Sequence, residues 1–352
     1  MLSLLKDKNT QWLVGIDFGT SHIKAVALKG RPGHYQLEAI GSVATPKGSL
    51  VDHQIQDVEQ IGLALKLLRR QLDCPYDKVA TAVSGSSVIT KVILVPRNLS
   101  AEELENQVLG EAEQHIPFPL DEISIDYESL GPDSNLPERE DILLSAARTD
   151  SISTRISALE EAGWQTKVVD IGVHALARAV KACLDIEGAR AQVLALVDIG
   201  SECLTFAVMD GDDIIYNRLQ NFGGAHFTRE LAKVTELSLA EIELAKLNNG
   251  LPEAVRYDIE QLHINAILQH VRRNIQLFCS SSGKKAPQGV VLSGGGSLLP
   301  NLAEVLEQEL SLPVLHPDFI RLFNGQAAEG TTGAAYMMAL GLALRSYTPC
   351  PI

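Results

Sequence analysis

The stretch Val14-Gly-Ile-Asp17-Phe-Gly19-Thr-Ser-His-Ile-Lys-Ala-Val-Ala-Leu-Lys-Gly30 has a counterpart later in the chain, Leu196-Val-Asp198-Ile-Gly200-Ser-Glu-Cys-Leu-Thr-Phe-Ala-Val-Met-Asp-Gly211. The same offset separates all matched positions (198 − 17 = 181). In each copy an apolar run ends in Asp-x-Gly and a hydroxyl residue, and a second apolar run ends at a glycine. Because Asp and Gly are disfavoured in strand interiors and favoured in tight turns, each copy predicts strand, turn, strand. Third strands are predicted at 35–43 and 213–222, so the chain is expected to contain two copies of one domain around a cleft.

Composition narrows the class of protein. The 352 residues are 45% hydrophobic and 21% charged, with a formal net charge of −14. That charge argues against nonspecific binding to nucleic acid or to anionic membranes, and no apolar run approaches the roughly 18–20 residues of a membrane span. The cysteines are far apart, without CxxC pairs, which favours a reducing compartment over a disulfide framework or a zinc site. We therefore expect a cytoplasmic protein with no nucleic-acid partner and no direct membrane insertion.

Helical segments separate the predicted sheets. An apolar stripe from Val58 to Leu72 predicts an amphipathic helix, and Ser100-x-x-Glu103 is the pattern of a capping box that opens another. A polar loop at 131–141 is expected to be a hairpin tip, followed by a helix over 153–162. Residues 86–163 are thus predicted to form a module inserted in the first half. In the second half, 228–279 is predicted to be helical apart from an interruption at 248–252.

The two Asp-x-Gly turns are candidate phosphate-binding sites. Backbone N–H groups of such turns bind phosphate oxygens, and a carboxylate at the strand end holds Mg²⁺ through its water shell. Two facing turns would clamp a polyphosphate, with Asp17 and Asp198 as the magnesium-binding groups and Lys24 within reach of the same charge. The chain has no P-loop, Rossmann or zincin motif. The predicted phosphate-binding residues are Asp17, Gly19, Thr20, Ser21, Lys24, Asp198, Gly200 and Ser201.

A third candidate site is the glycine-rich turn Ser293-Gly294-Gly295-Gly296-Ser297, which follows an apolar run. Glycine has no Cβ and lets the backbone approach a flat ligand such as a purine. An ordinary strand-to-helix turn needs one glycine, so three in a row indicate a ligand. Cys203, inside an apolar strand, is expected to be a small buried hydrophobe.

Together these motifs resemble the actin-like ATPase superfamily, which includes actin, sugar kinases and the cell-division protein FtsA. The resemblance implies an α/β, duplicated actin-like (ribonuclease H-like) fold around a nucleotide cleft that binds ATP or ADP with Mg²⁺. By this resemblance, Asp170 would position the attacking water, and Gly223 and Gly224 would form the turn that starts the helical subdomain. The ribose and adenine would be held by Glu243 and Lys246. The adenosine motif would consist of Gly294, Gly295, Gly296 and Ser297. Glu202 stands where stronger ATPases often have glycine, which implies slow hydrolysis.

One branch of that superfamily resembles nearly the whole chain. Val83–Lys91, Glu113–Glu122 with its Ile116-Pro-Phe-Pro-Leu120 core, and Asp141–Arg148 are similar to the PilM family of the type IV pilus inner-membrane assembly complex. The resemblance implies a first subdomain (1A) at 1–85, 164–190 and 331–352, an FtsA-like inserted module (1C) at 86–163, a second subdomain (2A) at 191–225 and 287–330, and a helical subdomain (2B) at 226–286.

The same resemblance implies a function. A cytoplasmic ATP-binding scaffold of pilus biogenesis is expected, held at the inner membrane by the N-terminal cytoplasmic tail of the membrane protein PilN. The tail would lie in a groove between the first subdomain and the inserted module, lined by residues within 85–125, where edge strands suit an extended peptide. Other components of the pilus complex and self-association are further partners to consider.

Two alternatives stay open at this point. One is a small-molecule kinase of the same superfamily, although sugar kinases are usually longer. The other is an FtsA-like filament protein, for which the residues after Arg345 offer no terminal amphipathic helix.

Overall fold

The computed structural model describes residues 12–85, 88–133, 136–187, 193–211, 213–247, 250, 253–328 and 330–347. Its strands are β1 (Val14–Phe18), β2 (His22–Arg31), β3 (His34–Ala44), β4 (Leu50–Val51), β5 (Gln54–Ile55), β6 (Lys78–Val83), β7 (Val88–Pro96), β8 (Ile123–Pro132), β9 (Arg139–Arg148), β10 (Gln165–Ile171), β11 (Val193–Ile199), β12 (Leu204–Asp210), β13 (Asp213–Gln220), β14 (Gly289–Ser293) and β15 (Val314–Leu315). Its α-helices are α1 (Val58–Leu72), α2 (Ala101–His115), α3 (Thr149–Glu161), α4 (Gly172–Glu187), α5 (Gly224–Val234), α6 (Leu239–Leu247), α7 (Glu253–Ser282), α8 (Leu302–Leu310), α9 (Phe319–Leu322) and α10 (Met337–Ala343).

Two sheets of matching topology confirm the duplication. Within the described residues, the first sheet has the order β10-β6-β1-β2-β3 and the second the order β13-β12-β11-β14-β15. In each, the hairpin strand that ends in Asp-x-Gly pairs antiparallel with the next strand and parallel with a later one, β6 or β14. The carboxyl ends of β1 and β11 therefore bear the same kind of turn, and both turns border the cleft.

Two helices, α4 and α10, lie between the halves. One buried cluster contains Leu28 of β2, Leu176 of α4, Leu196 of β11 and Leu340 of α10, so side chains of both halves share a core. The helices cross closely, because a Cβ built on Gly341 would lie 1.7 Å from the carbonyl oxygen of Ala175. Only glycine fits such an approach without displacement of the backbone.

The inserted region forms its own small sheet, with the order β7-β9-β8. Buried side chains of one face, such as Ile93 and Val95, pack in a cluster with Val108 and Ala112 of α2. The capping box at the start of α2 is confirmed, because the Ser100 side chain accepts from the Glu103 amide and the Glu103 carboxylate accepts from the Ser100 amide. Strands β8 and β9 pair antiparallel on either side of the predicted hairpin tip, of which residues 134 and 135 lie outside the described residues.

Helix α3 follows β9 without a loop and begins at Thr149, four residues before the predicted start. Its Ala158 and Leu159 belong to a buried cluster with Ile61 and Leu65 of α1. The last helix of the predicted module therefore packs on the first sheet domain. The division of the chain into four subdomains stays a prediction.

The second half carries the predicted helical segment as α5, α6 and α7. Residues 248, 249, 251 and 252 of the predicted interruption lie outside the described residues, as do 348–352 of the chain's end. Long α7 contributes Ile264, Ile267 and Phe278 to a buried cluster with strands of the second sheet. Among the described helices, none has both the length and the apolar composition needed to span a bilayer.

Candidate functional site

A cleft between the two halves is lined by the turns that follow β1 and β11. Its floor and walls include the predicted residues Asp17, Gly19, Thr20, Ser21, Lys24, Asp198, Gly200, Ser201, Gly294 and Gly295. The two hairpin turns thus contribute from opposite sides. The same cleft is also lined by Cys203 of the second hairpin and by His53, Ser84 and Arg155, for which no sequence motif gave an indication.

The acidic groups of the cleft are held in place by the sheets. Asp17 lies opposite Lys24 in the β1–β2 register, and the Asp198 carboxylate accepts a hydrogen bond of 2.8 Å from the Ser293 hydroxyl. Both carboxyls are partly accessible through the cleft, yet burial raises the pKa of each above its usual range, with Lys24 acting in the opposite direction. The Asp198 charge also raises the pKa of Asp17. Two carboxylates that oppose each other in a desolvated cleft favour a cation between them.

Close contacts between backbone atoms shape both hairpin turns and require glycine at several positions. A Cβ on Gly19 would lie 2.6 Å from the His22 carbonyl oxygen, and the Gly200 amide donates to the Cys203 carbonyl at 2.8 Å. The second turn is supported from behind, because Gly224 donates to the Gly200 carbonyl at 3.0 Å and a Cβ on Gly223 would lie 2.5 Å from the same oxygen. Gly223 and Gly224 therefore hold the turn and do not line the cleft.

The three consecutive glycines have different tasks. Gly294 has φ +83° and its Cβ would meet the Ile199 carbonyl at 2.4 Å, while a Cβ on Gly296 would lie 2.4 Å from the Ile199 side chain. Gly295 has open space around its Cβ position and lines the cleft. Packing on β11 therefore requires glycine at positions 294 and 296, whereas Gly295 has no such requirement and leaves room for a ligand; Gly294 and Gly295 both line the cleft.

Four other predicted site residues, Gly296, Ser297, Glu243 and Lys246, are not among the described residues that line the cleft. Ser297 is buried and donates to the Gly294 carbonyl at 2.6 Å. Lys246 bonds to Glu243 at 3.0 Å and to Thr228 at 2.8 Å, so the Glu243/Lys246 pair joins α6 to α5. Nucleotide contacts of Gly296, Ser297, Glu243 and Lys246 stay predictions, and the charge of Glu243 is close enough to the cleft to act on the pKa of His22 in its lining.

Asp170 is engaged by two arginines. Arg178 of α4 lies 3.0 Å from its carboxylate and Arg345 lies 3.6 Å away, and the Asp170 side chain is 13% exposed. The same carboxylate accepts from the Ile171 amide at 2.8 Å. This geometry makes Asp170 the centre of an ion-pair cluster beside α4, and it does not bring the carboxylate into the cleft lining.

The expectation that Cys203 is a small buried hydrophobe is wrong. The residue is half-buried and lines the cleft, and its thiol lies 3.3 Å from Nε2 of His53. Burial, reinforced by Glu202 and Asp52, raises the pKa of the thiol to about 11. His53 belongs to the β4–β5 turn of the first half, so the contact spans the cleft.

Comparison with known proteins places this geometry in context. A profile of the family described as "Type IV pilus assembly protein PilM" matches residues 15–347. A solved "PilM-PilN type IV pilus biogenesis complex" is 28% identical, covering 96% of this chain and 99% of that chain with a TM-score of 0.82. The likeness thus extends over both halves and the inserted region.

Two further proteins are similar to this chain at lower identity. The "Cell division protein FtsA" of Bacillus subtilis (strain 168) is 24% identical over 380 residues, which is 95% of this chain and 83% of the relative. The ethanolamine utilization protein EutJ from Carboxydothermus hydrogenoformans is 16% identical, with 94% and 89% of the two chains covered and a TM-score of 0.56. At that identity the EutJ likeness concerns the fold alone.

Proposed function

Because the chain belongs to the type IV pilus assembly protein PilM family, we propose that it is a cytoplasmic nucleotide-binding scaffold of type IV pilus biogenesis that binds the N-terminal tail of PilN. The proposal also draws on the whole-length likeness to a solved PilM–PilN complex. The tail of this membrane protein would keep the scaffold at the inner membrane. Other components of the complex would join through the same assembly.

The observation that carries nucleotide binding is the pair of Asp-x-Gly turns that face each other across the cleft. Amide groups of the turns after Asp17 and Asp198 would bind phosphate oxygens, and the two carboxylates would hold Mg²⁺ through water. Gly295 leaves open space for the flat part of the ligand. When bound, Mg²⁺ would neutralise phosphate charge, and the residues of this chain would orient the nucleotide between the halves.

Slow hydrolysis is part of the proposal. Glu202 in the second turn adds negative charge beside the phosphate site, with Arg229 at 3.8 Å as a distant counter-charge. Asp170, the residue assigned to water positioning, is bound by Arg178 and Arg345, and we expect this competition for its carboxylate to slow hydrolysis. A scaffold that keeps its nucleotide for long periods fits these features better than a rapid ATPase.

The small sheet offers a surface for an extended peptide. Among the described strands β7 pairs only with β9, so its other edge is open. Val92 and Leu94 are 49% and 39% exposed on the face opposite α2, with Leu143 of β9 next to Val92 in register. Exposed strand edges bind peptides by main-chain hydrogen bonds, and neighbouring apolar side chains give specificity.

The partner proposal is tested by titrating a fluorescent peptide of the N-terminal tail of PilN into the full chain. We expect V92R and L94R to weaken peptide binding at least tenfold, because each puts a charge on the apolar face. The matched control is L244R, which makes the same kind of change at a 60% exposed leucine of α6. Equal affinity of wild type and both β7 variants would refute this docking surface, and no binding by wild type would refute the partner.

The nucleotide proposal is tested by calorimetric titration of ATP-Mg into wild type, Asp17→Ala and Asp198→Ala. We expect both variants to lose most of their affinity, since each removes one side of the cation site. Unchanged affinity in both variants would contradict the phosphate clamp.

A further inference from the structure

Arg155 is a buried cation that lines the cleft, although it comes from a helix far away in sequence. Its side chain is 2% exposed and projects from α3, which packs on α1 beside the first sheet. The lining of the cleft places it with Asp17, Lys24 and the first hairpin turn. Buried arginines are rare and need an energetic reason.

The guanidinium is held firmly by the chain itself. Its Nη1 donates to the carbonyl and hydroxyl oxygens of Ser151 at 2.7 and 2.9 Å, and its Nη2 donates to the His53 carbonyl at 2.6 Å. Its carbon centre lies 5.7 Å from the Phe18 ring. A planar group fixed on several sides is already oriented for a ligand, so little conformational entropy would be lost when a ligand binds.

One donor of this group is left over. The Nε–H of Arg155 is buried and has no hydrogen-bond partner among the described residues. A buried charged donor without an acceptor is costly, and native structures leave few of them. A phosphate oxygen that reached this edge of the guanidinium would be an acceptor of the kind that satisfies it.

The charge balance of the cleft points to the same ligand. Burial lowers the pKa of Arg155 to about 10, with Asp17 acting in the opposite direction, so the group is a desolvated cation at neutral pH. His22 and His53 also line the cleft, but burial lowers the pKa of both. Within the described lining, Lys24 and Arg155 are therefore the two permanent positive charges available to an anion.

We propose that Arg155 is a phosphate-binding residue of the cleft, whose Nε–H donates to a phosphate oxygen of the bound nucleotide. The proposal rests on the nucleotide binding proposed above and adds a residue from a different part of the chain. Since α3 continues directly from β9, the central strand of the small sheet, phosphate binding at Arg155 would tie that sheet to the nucleotide.

The test is calorimetric titration of ATP, ADP and adenosine, with Mg²⁺ constant, into full-chain wild type, Arg155→Met and Arg155→Lys. Arg155→Met is expected to lose about 10- to 100-fold in ATP affinity, the range for a hydrogen bond to a charged group, and to keep its adenosine affinity. The ATP affinity of Arg155→Lys is expected to lie between those of wild type and Arg155→Met. The matched control is Arg148→Met, which removes a 37% exposed arginine just before α3 and should bind as wild type does.

Arg155→Met that binds ATP as tightly as wild type would overturn the proposal. An equal loss for ATP and adenosine would also overturn it, because a purely structural role weakens both ligands alike. Absence of nucleotide binding by wild type would overturn the function proposed above and this residue's role with it.

A second measurement needs no variant and guards against misfolding of Arg155→Met. Hydrogen exchange of wild type is followed with no ligand, with adenosine and with ATP-Mg. We expect ATP-Mg, and not adenosine, to slow exchange in α3 and in the β4–β5 turn, because both are bonded to the guanidinium that grips the phosphate. Identical exchange in α3 under all three conditions would contradict the proposal.

Discussion

Replacing Gly341 by alanine tests how closely α4 and α10 must approach. The new Cβ would lie 1.7 Å from the carbonyl oxygen and 2.4 Å from the carbonyl carbon of Ala175. Van der Waals contact between heavy atoms begins at roughly 3.5 Å, so the two helices would have to separate by about 2 Å. The obstacle is backbone, which cannot swing aside as a flexible side chain does.

The expected cost follows from two opposing effects. Overpacking a core costs about 1–3 kcal/mol or more, whereas alanine gains about 1 kcal/mol over glycine in a helix. Because the contact is far inside the normal distance, we expect a net loss of at least about 2 kcal/mol. At roughly 2–4 °C per kcal/mol, the melting temperature should fall by about 4–8 °C.

Thermal and urea unfolding followed by circular dichroism measure this change. Gly110→Ala is the matched control, since Gly110 lies in α2 with nothing within 4 Å of its Cβ position. The same substitution there should raise stability by about 0.5–1 kcal/mol. A melting temperature of Gly341→Ala at or above that of wild type would refute the close-crossing argument.

Three further predictions concern Asp17, Asp170 and Cys203. Asp17→Asn should stabilise the nucleotide-free protein at neutral pH while abolishing Mg-nucleotide binding. The pKa of Asp17 is raised, so the folded state holds the proton more tightly than the unfolded state and the wild type loses stability as pH rises through that pKa. Melting curves from pH 4 to 8 should therefore show that the stability advantage of Asp17→Asn over wild type grows with pH. A melting temperature of Asp17→Asn below that of wild type at every pH would contradict this. Asp170→Asn should lower the free energy of unfolding in urea by about 3 kcal/mol, because Arg178 and Arg345 lose a buried charged partner, and it should leave ATP affinity intact. Unchanged stability together with loss of ATP hydrolysis would instead support a role of Asp170 in positioning water. Burial raises the pKa of the Cys203 thiol to about 11, against 9.0 for an unperturbed thiol. Cys203 should therefore react with iodoacetamide about tenfold more slowly than a free thiol near pH 8, because its much smaller thiolate fraction is partly offset by the greater nucleophilicity of that thiolate. Peptide mass spectrometry should show the rate rising with pH, and alkylation at the free-thiol rate would contradict this prediction.

The repeated Asp-x-Gly turns were sufficient to predict the duplicated fold. Each strand–turn–strand unit follows from local residue preferences, and the fixed offset between the two copies indicated that the domain is duplicated. The paired topology of the two sheets confirms that prediction. Residues of the cleft that belong to these turns could likewise be found from the sequence.

The remaining cleft residues could not be found in this way. Arg155 bonds to His53 across 102 positions, and His53 contacts Cys203 across 150 positions. An arginine in an amphipathic helix or a histidine in a turn has no local signature, because its role arises only when distant elements pack together. Glu243 and Lys246 are a different case: the structure shows an ion pair between them, and their role as nucleotide contacts stays a prediction.

The opposed carboxylates of Asp17 and Asp198 have a consequence for the life of the protein in the cell. Their raised pKa values show that burial makes ionisation of both carboxyls unfavourable, so a bound cation would stabilise the fold. A ligand that binds only the folded chain adds about 4 kcal/mol of stability at a thousand times its dissociation constant. On the proposed function, nucleotide supply would therefore help to set the abundance of the scaffold, because empty molecules would unfold and be degraded before loaded ones.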